Sequence, residues 1–315
     1  ISVRQLLSHT SGYSTYQGNS APRESEAGAD AIARRTAWFA EQEPAHSPGS
    51  GWEYSNANYL ILGRLIEVTT GQPYAAYMKA SIFEPLGMEQ THVSGDGTNA
   101  PVATGHAPWF GSMRSIEPQW TGLGTGPQGG IVSTANDMAR YLQMMMNGRD
   151  DILSAAGKAQ MLESASDASP EYGFGWMLDA ADGSAYHTGM VPGFEAIAAM
   201  IPAQERGVVV LTNGVSGMGF AETVQLRYGT VAMALEQPPL DDTGRGMRIA
   251  NFLLVALAPV FLALAIVWAW VKRDSLRAKR SSRFGRVSLW LPLVAMAAVA
   301  WICVALIPQL FGLSL

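Results

Sequence analysis

The sequence predicts an α+β domain, a helical part followed by an antiparallel sheet, with two membrane-spanning helices after it. Three observations carry that expectation. Residues 1–145 alternate helix signals with Gly/Pro-rich loops, whereas from residue 172 the apolar period shortens to that of strands. The strand-like runs 185–190, 195–201 and 207–212 are joined by links of hairpin length, which favours antiparallel pairing. Residues 249–271 and 287–311 are almost continuously apolar and uncharged.

In chain order, Ser2 caps a helix that runs through Leu7. Residues 58–70 place Leu60, Ile61, Leu65, Ile66 and Val68 largely on one side of a helix ending at Gly71. Gly122-Leu-Gly-Thr-Gly126 lacks the Lys-Ser/Thr ending and the preceding strand of a phosphate loop, and reads as a flexible cleft rim. Thr134-Ala-Asn-Asp137 matches a capping box with aspartate in place of Glu or Gln. It opens a helix reaching to Gly148, whose methionines 144–146 sit at core spacing. Residues 172–179 begin a set of four strands, 220–236 form a helix, and 237–248 form a linker.

The 23 uncharged residues 249–271 span roughly 35 Å as a helix, at about 1.5 Å per residue. A pair of buried core helices is the alternative, but such helices rarely run past twenty apolar residues without a polar face. Trp268, Trp270, Trp290 and Trp301 include several near the ends, as interfacial anchors would be. The loop 272–286 carries seven basic residues and one acid, Asp274, so it is expected in the cytoplasm, with residues 1–248 outside. The bilayer is therefore an expected partner.

The rest of the chain holds 14 basic and 25 acidic residues, which gives no electrostatic footprint for nucleic acid. Cys303 is the only cysteine, so no intrachain disulfide or cysteine metal site can form. His46, His92 and His106 show no spacing that converges on a metal, and no cofactor is expected. No pattern in the chain specifies an oligomeric state.

Six segments in order carry a resemblance. They are residues 1–12 (Ile-Ser-Val-Arg-Gln-Leu-Leu-Ser-His-Thr-Ser-Gly), Pro48-Gly-Ser-Gly-Trp-Glu-Tyr-Ser-Asn56, Pro85-Leu-Gly-Met88 with Thr91, residues 129–137, Tyr172-Gly-Phe-Gly-Trp176, and His187-Thr-Gly-Met-Val-Pro-Gly-Phe194, followed by Leu211-Thr-Asn213. Together they resemble the serine β-lactamase and penicillin-binding-protein superfamily, in its class C-like, esterase and D-peptidase branch. The resemblance implies a β-lactamase/transpeptidase-like fold over residues 1–236, with a cleft between a helical lobe and a sheet lobe, and acyl transfer through a serine. It implies that Tyr54 and Asn56 form the Tyr-x-Asn motif. A tyrosine, with its pKa near 10, relays protons only beside a cation, in this family the lysine of a Ser-x-x-Lys helix. Asn56 would bond substrate amide and lysine.

His187-Thr188-Gly189 resembles the family's Lys-Thr-Gly strand edge, with Thr188, Gly189 and Met190 expected to bind substrate and the Met190 N–H to form half an oxyanion hole. Histidine in place of lysine gives a charge only near or below pH 6.5, which weakens the case for penicillin hydrolysis. His9 reads as structural rather than catalytic.

One part of the pattern is absent. The residues three before the four lysines, Lys79, Lys158, Lys272 and Lys279, are Ala76, Ala155, Ala269 and Leu276, so no Ser-x-x-Lys occurs in the sequence. Gly-x-Ser-x-Gly is absent as well. The chain as given is expected to be an inert N-terminal truncation of a membrane-anchored extracytoplasmic hydrolase of amides or esters. A non-catalytic module that binds cell-wall fragments is the alternative, and a structural spacer a weaker one.

Overall fold

The computed structural model describes residues 1–21, 28–109, 112–117, 122–215, 222–238 and 245–301. The chain divides into two compact units, residues 1–215 with 223–240, and residues 216–222 with 241–315.

The first unit opens with α1 (Val3–Leu7), where Ser2 and Gln5 form a full capping box: Gln5 N–H donates to Ser2 Oγ and Ser2 N–H to Gln5 Oε1. Next come α2 (Thr15–Gly18), α3 (Ala31–Ala40) and α4 (Asn56–Thr70). Helix α4 starts two residues before the apolar period suggests and stops at Gly71, whose φ of +69° is left-handed and whose N–H returns to Glu67. Phe39, Ala57 and Leu60 from these helices bury against Tyr74 of α5 (Tyr74–Met78) and against Phe83 and Met88.

Two small strand pairs follow that the sequence reading missed. They are β1 (His92–Val93) with β4 (Ile131–Val132), and β2 (Gly105–Trp109) with β3 (Ser112–Ile116). The glycine-rich stretch 122–126 forms a helical turn leading into α6 (Gly126–Gly129). A Cβ on Gly126 would lie 2.7 Å from Val93 Cγ1, so the turn is packed against β1.

Helix α7 (Ala135–Met146) begins as expected at Thr134, whose Oγ1 accepts the Asp137 N–H. The Asp137 carboxylate instead accepts from Gln90 N–H at 2.8 Å and Thr91 Oγ1 at 2.9 Å. A tertiary tether thus replaces the reciprocal half of the box. After α8 (Ala155–Met161) comes one antiparallel sheet in the order β5 (Met177–Asp179), β6 (Ser184–Val191), β7 (Phe194–Ile201), β8 (Arg206–Thr212).

The first strand is shorter than the run 172–179, because Gly175 at φ +81° turns the chain and leaves a single bridge, Tyr172 to Met177. Consequently β5 pairs only with Ser184, Ala185 and Tyr186 of β6. From His187 to Val191 the outer edge of β6 has no ladder partner among the described residues.

Alternation along the strands sorts the two faces. Tyr186, Ile197, Ala199 and Ile201 pack on Val231 of α9 (Glu222–Ala234) and on Leu235 just after it. Ala185, Ala198 and Met200 pack on Leu142, Met144 and Met145 of α7, so the methionines are core. Buried Glu195 pairs with buried Arg227 at 2.8 Å and accepts from Thr223 at 2.7 Å. Arg227 also donates to the Ala196 carbonyl at 3.1 Å, directly across the ladder from Gly189.

The second unit contains α10 (Arg245–Val271), α11 (Arg273–Ala278) and α12 (Arg283–Trp301). Among the described residues no helix is long and apolar enough to cross a membrane. Leu253, Phe261, Leu264, Trp268 and Trp270 of α10, and Val287, Trp290 and Val294 of α12, are exposed. The end of the second expected span, residues 302–311, lies outside the described residues.

Candidate active site

The site forms where the segment leading into α4 faces the open half of β6. Tyr54 stands two residues before the helix, and its ring centroid lies 6.0 Å from that of His187. Tyr172, at the turn before β5, is buried with its ring 6.3 Å from His187. His9 lies beneath, its ring 4.2 Å from Tyr54, 5.2 Å from Tyr59 and 5.1 Å from Tyr172. Trp52, 5.8 Å from Tyr172 and partly exposed, extends this aromatic wall outward.

Burial pushes the Tyr54 phenol above its ordinary pKa, and no charge among the described residues offsets that rise. Burial lowers His187, and burial first, then the proximity of His187, brings His9 down to about 3. Burial raises the Tyr59 and Tyr172 phenols too, so at neutral pH the site holds three protonated phenols and two uncharged imidazoles.

Asn56 is the first residue of α4, and its Nδ2 donates to Asn19 Oδ1 at 2.9 Å. Thr188, Gly189 and Met190 continue the open edge, with the Met190 side chain 49% exposed. A Cβ on Gly189 would meet only Ala196 Cβ, at an ordinary 3.6 Å. Packing does not require glycine there, and its absence of a side chain keeps the strand surface bare.

The structure thus brings Tyr54 and His187 together beside the strand edge. His9 is 1% exposed, in keeping with a structural residue. Trp52, Tyr59 and Tyr172 were not expected at the site. The glycines and prolines around Trp52 and Tyr172 mark both as loop aromatics, the one local signal that could have found them. No group of three metal-ligating side chains occurs among the described residues.

Helices on one side, an antiparallel sheet on the other, and a tyrosine facing a His-Thr-Gly strand edge define a serine-hydrolase-like α+β domain. The chain belongs to the β-lactamase family, whose model, described as Beta-lactamase, matches residues 1–229. It is 28% identical to Protein flp of Staphylococcus aureus (strain N315), across 97% of this chain and 62% of that protein. The chain therefore spans under two thirds of the length of this curated relative.

Among solved structures, it is similar to the octameric penicillin-binding protein homologue from Pyrococcus abyssi. The TM-score is 0.61 at 25% identity, covering 76% of this chain and 56% of that one. It is likewise similar to the D-amino acid amidase from Ochrobactrum anthropi SV3, solved with L-phenylalanine amide. There the TM-score is 0.55 at 27% identity, covering 69% of this chain and 65% of that one.

Proposed function

We propose that the chain forms most of the cleft of a membrane-anchored, extracytoplasmic serine hydrolase that transfers acyl groups from amides or esters to water. Cell-wall D-peptides, small esters and β-lactams are the candidate substrates. The observation that carries this reading is the convergence of the Tyr54 phenol and His187 beside an unpaired strand edge. An extended substrate can add to such an edge through main-chain hydrogen bonds.

In this reading a serine hydroxyl of a Ser-x-x-Lys segment, elsewhere in the longer protein, attacks the carbonyl carbon. Its proton leaves through Tyr54, which returns a proton to the departing amine or alkoxide, and water then hydrolyses the ester on the serine. The Met190 N–H, with the serine's own N–H, receives the developing oxyanion. Asn56 contacts the substrate amide, and Thr188 and Gly189 flank it. The phenol needs a neighbouring cation to work as a base, and burial without one keeps it protonated here. The reading places the missing lysine in that role.

A neutral His187 where the family has lysine favours substrates without a carboxylate at the strand edge. The similarity to a D-amino acid amidase supports neutral amides. Two features support anchoring: the exposed apolar side chains on α10 and α12, and the basic segment 272–286, which follows α10 and runs into the first turn of α12. Retention of the full-length protein in the membrane pellet after alkaline carbonate washing is the expected result. Release would count against the anchor.

Full-length protein is expected to be labelled covalently by a fluorescent penicillin or a fluorophosphonate. Folded protein that takes up neither would overturn the hydrolase reading. The lack of Ser-x-x-Lys in these 315 residues favours one other reading, a cleft that binds cell-wall fragments without turnover. Saturable binding of muropeptides by protein that resists both probes would establish it.

A further inference from the structure

Three consecutive residues around Tyr54 are all held by one side chain and its carbonyl. Glu53 N–H donates to the His9 carbonyl at 3.0 Å. Ser55 N–H donates to His9 Nδ1 at 3.1 Å. Between them, the Tyr54 ring lies on the His9 ring at 4.2 Å. The imidazole is itself fixed: Asn58 Nδ2 approaches the same Nδ1 at 2.9 Å, and Asn58 Oδ1 accepts from Ser11 Oγ at 2.5 Å. Ser11, Ser55 and Asn58 are fully buried.

His9 also has φ +55°, a left-handed backbone that few side chains other than asparagine, aspartate or histidine take up readily. That backbone lets its carbonyl and its ring reach neighbouring positions of one strand-like segment. With Nδ1 accepting, the single proton of the neutral ring sits on Nε2. Nε2 is buried without a hydrogen-bond partner among the described residues, in the enclosure of Tyr54, Tyr59 and Tyr172. A core imidazole whose only task was packing would not need to meet three successive residues of the segment that carries the phenol.

We propose that His9 is a positioning residue for Tyr54, holding the phenol at the distance from the strand edge that proton transfer requires. The catalytic consequence rests on the hydrolase reading; the structural consequence does not. Two variants separate the parts of the clamp. His9→Asn keeps the left-handed backbone and an oxygen acceptor for Ser55 N–H but removes the ring. His9→Phe keeps a ring but strands a buried N–H, and should it fail to fold, His9→Asn alone decides.

The experiment uses full-length protein labelled with [13Cζ]tyrosine, with the Tyr54 resonance assigned through Tyr54→Phe. The resonance is expected to move or broaden in both His9 variants. Their acylation by the fluorescent penicillin or fluorophosphonate is expected to fall by about a hundredfold, the effect of roughly an ångström of misplacement. The affinity of a slowly reacting ligand should stay within about threefold, because the strand edge is untouched.

In a Tyr54→Phe background the same His9 substitutions should cost nothing further, since the group they position is gone. An unchanged Tyr54 resonance in the variants would overturn the proposal, as would a His9 effect that multiplies in full with Tyr54→Phe. Wild-type protein that accepts neither probe refutes the hydrolase reading, while the resonance still judges the clamp.

Discussion

The two walls of the cleft are built by different means. The Tyr54 wall is polar and over-determined: its backbone N–H groups on either side end on His9, and its ring is enclosed by aromatic neighbours. The His187–Val191 wall is a strand with a ladder on one side only among the described residues, and it is braced from behind, where Arg227 ties α9 to β7 across from Gly189. The first wall fixes one group in place. The second leaves main-chain groups free for a guest. Disturbing the first should change rate with stability held, and disturbing the second should change either stability or the seating of the guest, on which acylation also depends.

The sharpest way to break this contrast is to remove the brace. Glu195→Ala leaves Arg227 as a buried, unbalanced charge and should cost about 3–5 kcal/mol in chemical denaturation. A loss below about 1 kcal/mol would show that the ion pair is not what supports the strand. Next in size, Tyr54→Phe should lower the acylation rate of the full-length enzyme by about a hundredfold or more, with Tm nearly unchanged. Wild-type rates in that variant would move the proton relay elsewhere.

Gly189→Val tests the bare strand. A Cβ at 189 would meet only Ala196 Cβ at ordinary contact distance, so Tm should hold while acylation falls about tenfold, short of the effect of a full ångström displacement. An equal fall in Tm would mean that the glycine serves the sheet rather than the guest.

The smallest expected effect is on pH dependence. His9 and His187 both have lowered pKa values in the folded state, so between pH 6.5 and about 3 the unfolded chain binds protons that the folded His9 refuses. Stability then rises with pH through that window and is lost as pH falls, by about 1.4 kcal/mol per unit for each fully differing proton. Between pH 4.5 and 5.5, above the range of the depressed carboxylates Asp30, Asp151, Asp182 and Glu236, His9→Asn should flatten the slope by nearly one proton. A slope unchanged in urea titrations would mean that His9 titrates normally.

Local chemistry made much of this fold legible. Ser2, Gly71 and Thr134 mark helix ends because their side chains or their left-handed backbone act within a turn of where they stand. The three full strands were legible because alternation reports a sheet with two different faces. What could not be read depends on distant partners. Asp137 looks like a cap residue until Gln90 and Thr91, some 46 residues earlier, take its carboxylate. Asn56 Nδ2 donates to Asn19 Oδ1, 37 residues earlier, a partner that the Tyr-x-Asn spacing does not announce. The run 172–179 has strand composition, but Gly175 bends it away before it can pair in full. At the site, Tyr54 and His187 were legible as motif residues, whereas the enclosure of Trp52, Tyr59, Tyr172 and His9 is assembled from segments up to 163 residues apart and has no local period.

The brevity of β5 has a consequence for solubility. An unpaired β-strand is a template for any extended chain, a neighbouring copy included, and long bare borders invite polymerisation. Here three residues of β5 seal one end of the border, and the remainder, 187–191, unpaired on that side among the described residues, is about 17 Å long. That length accepts a short peptide but gives a second molecule little to zip onto.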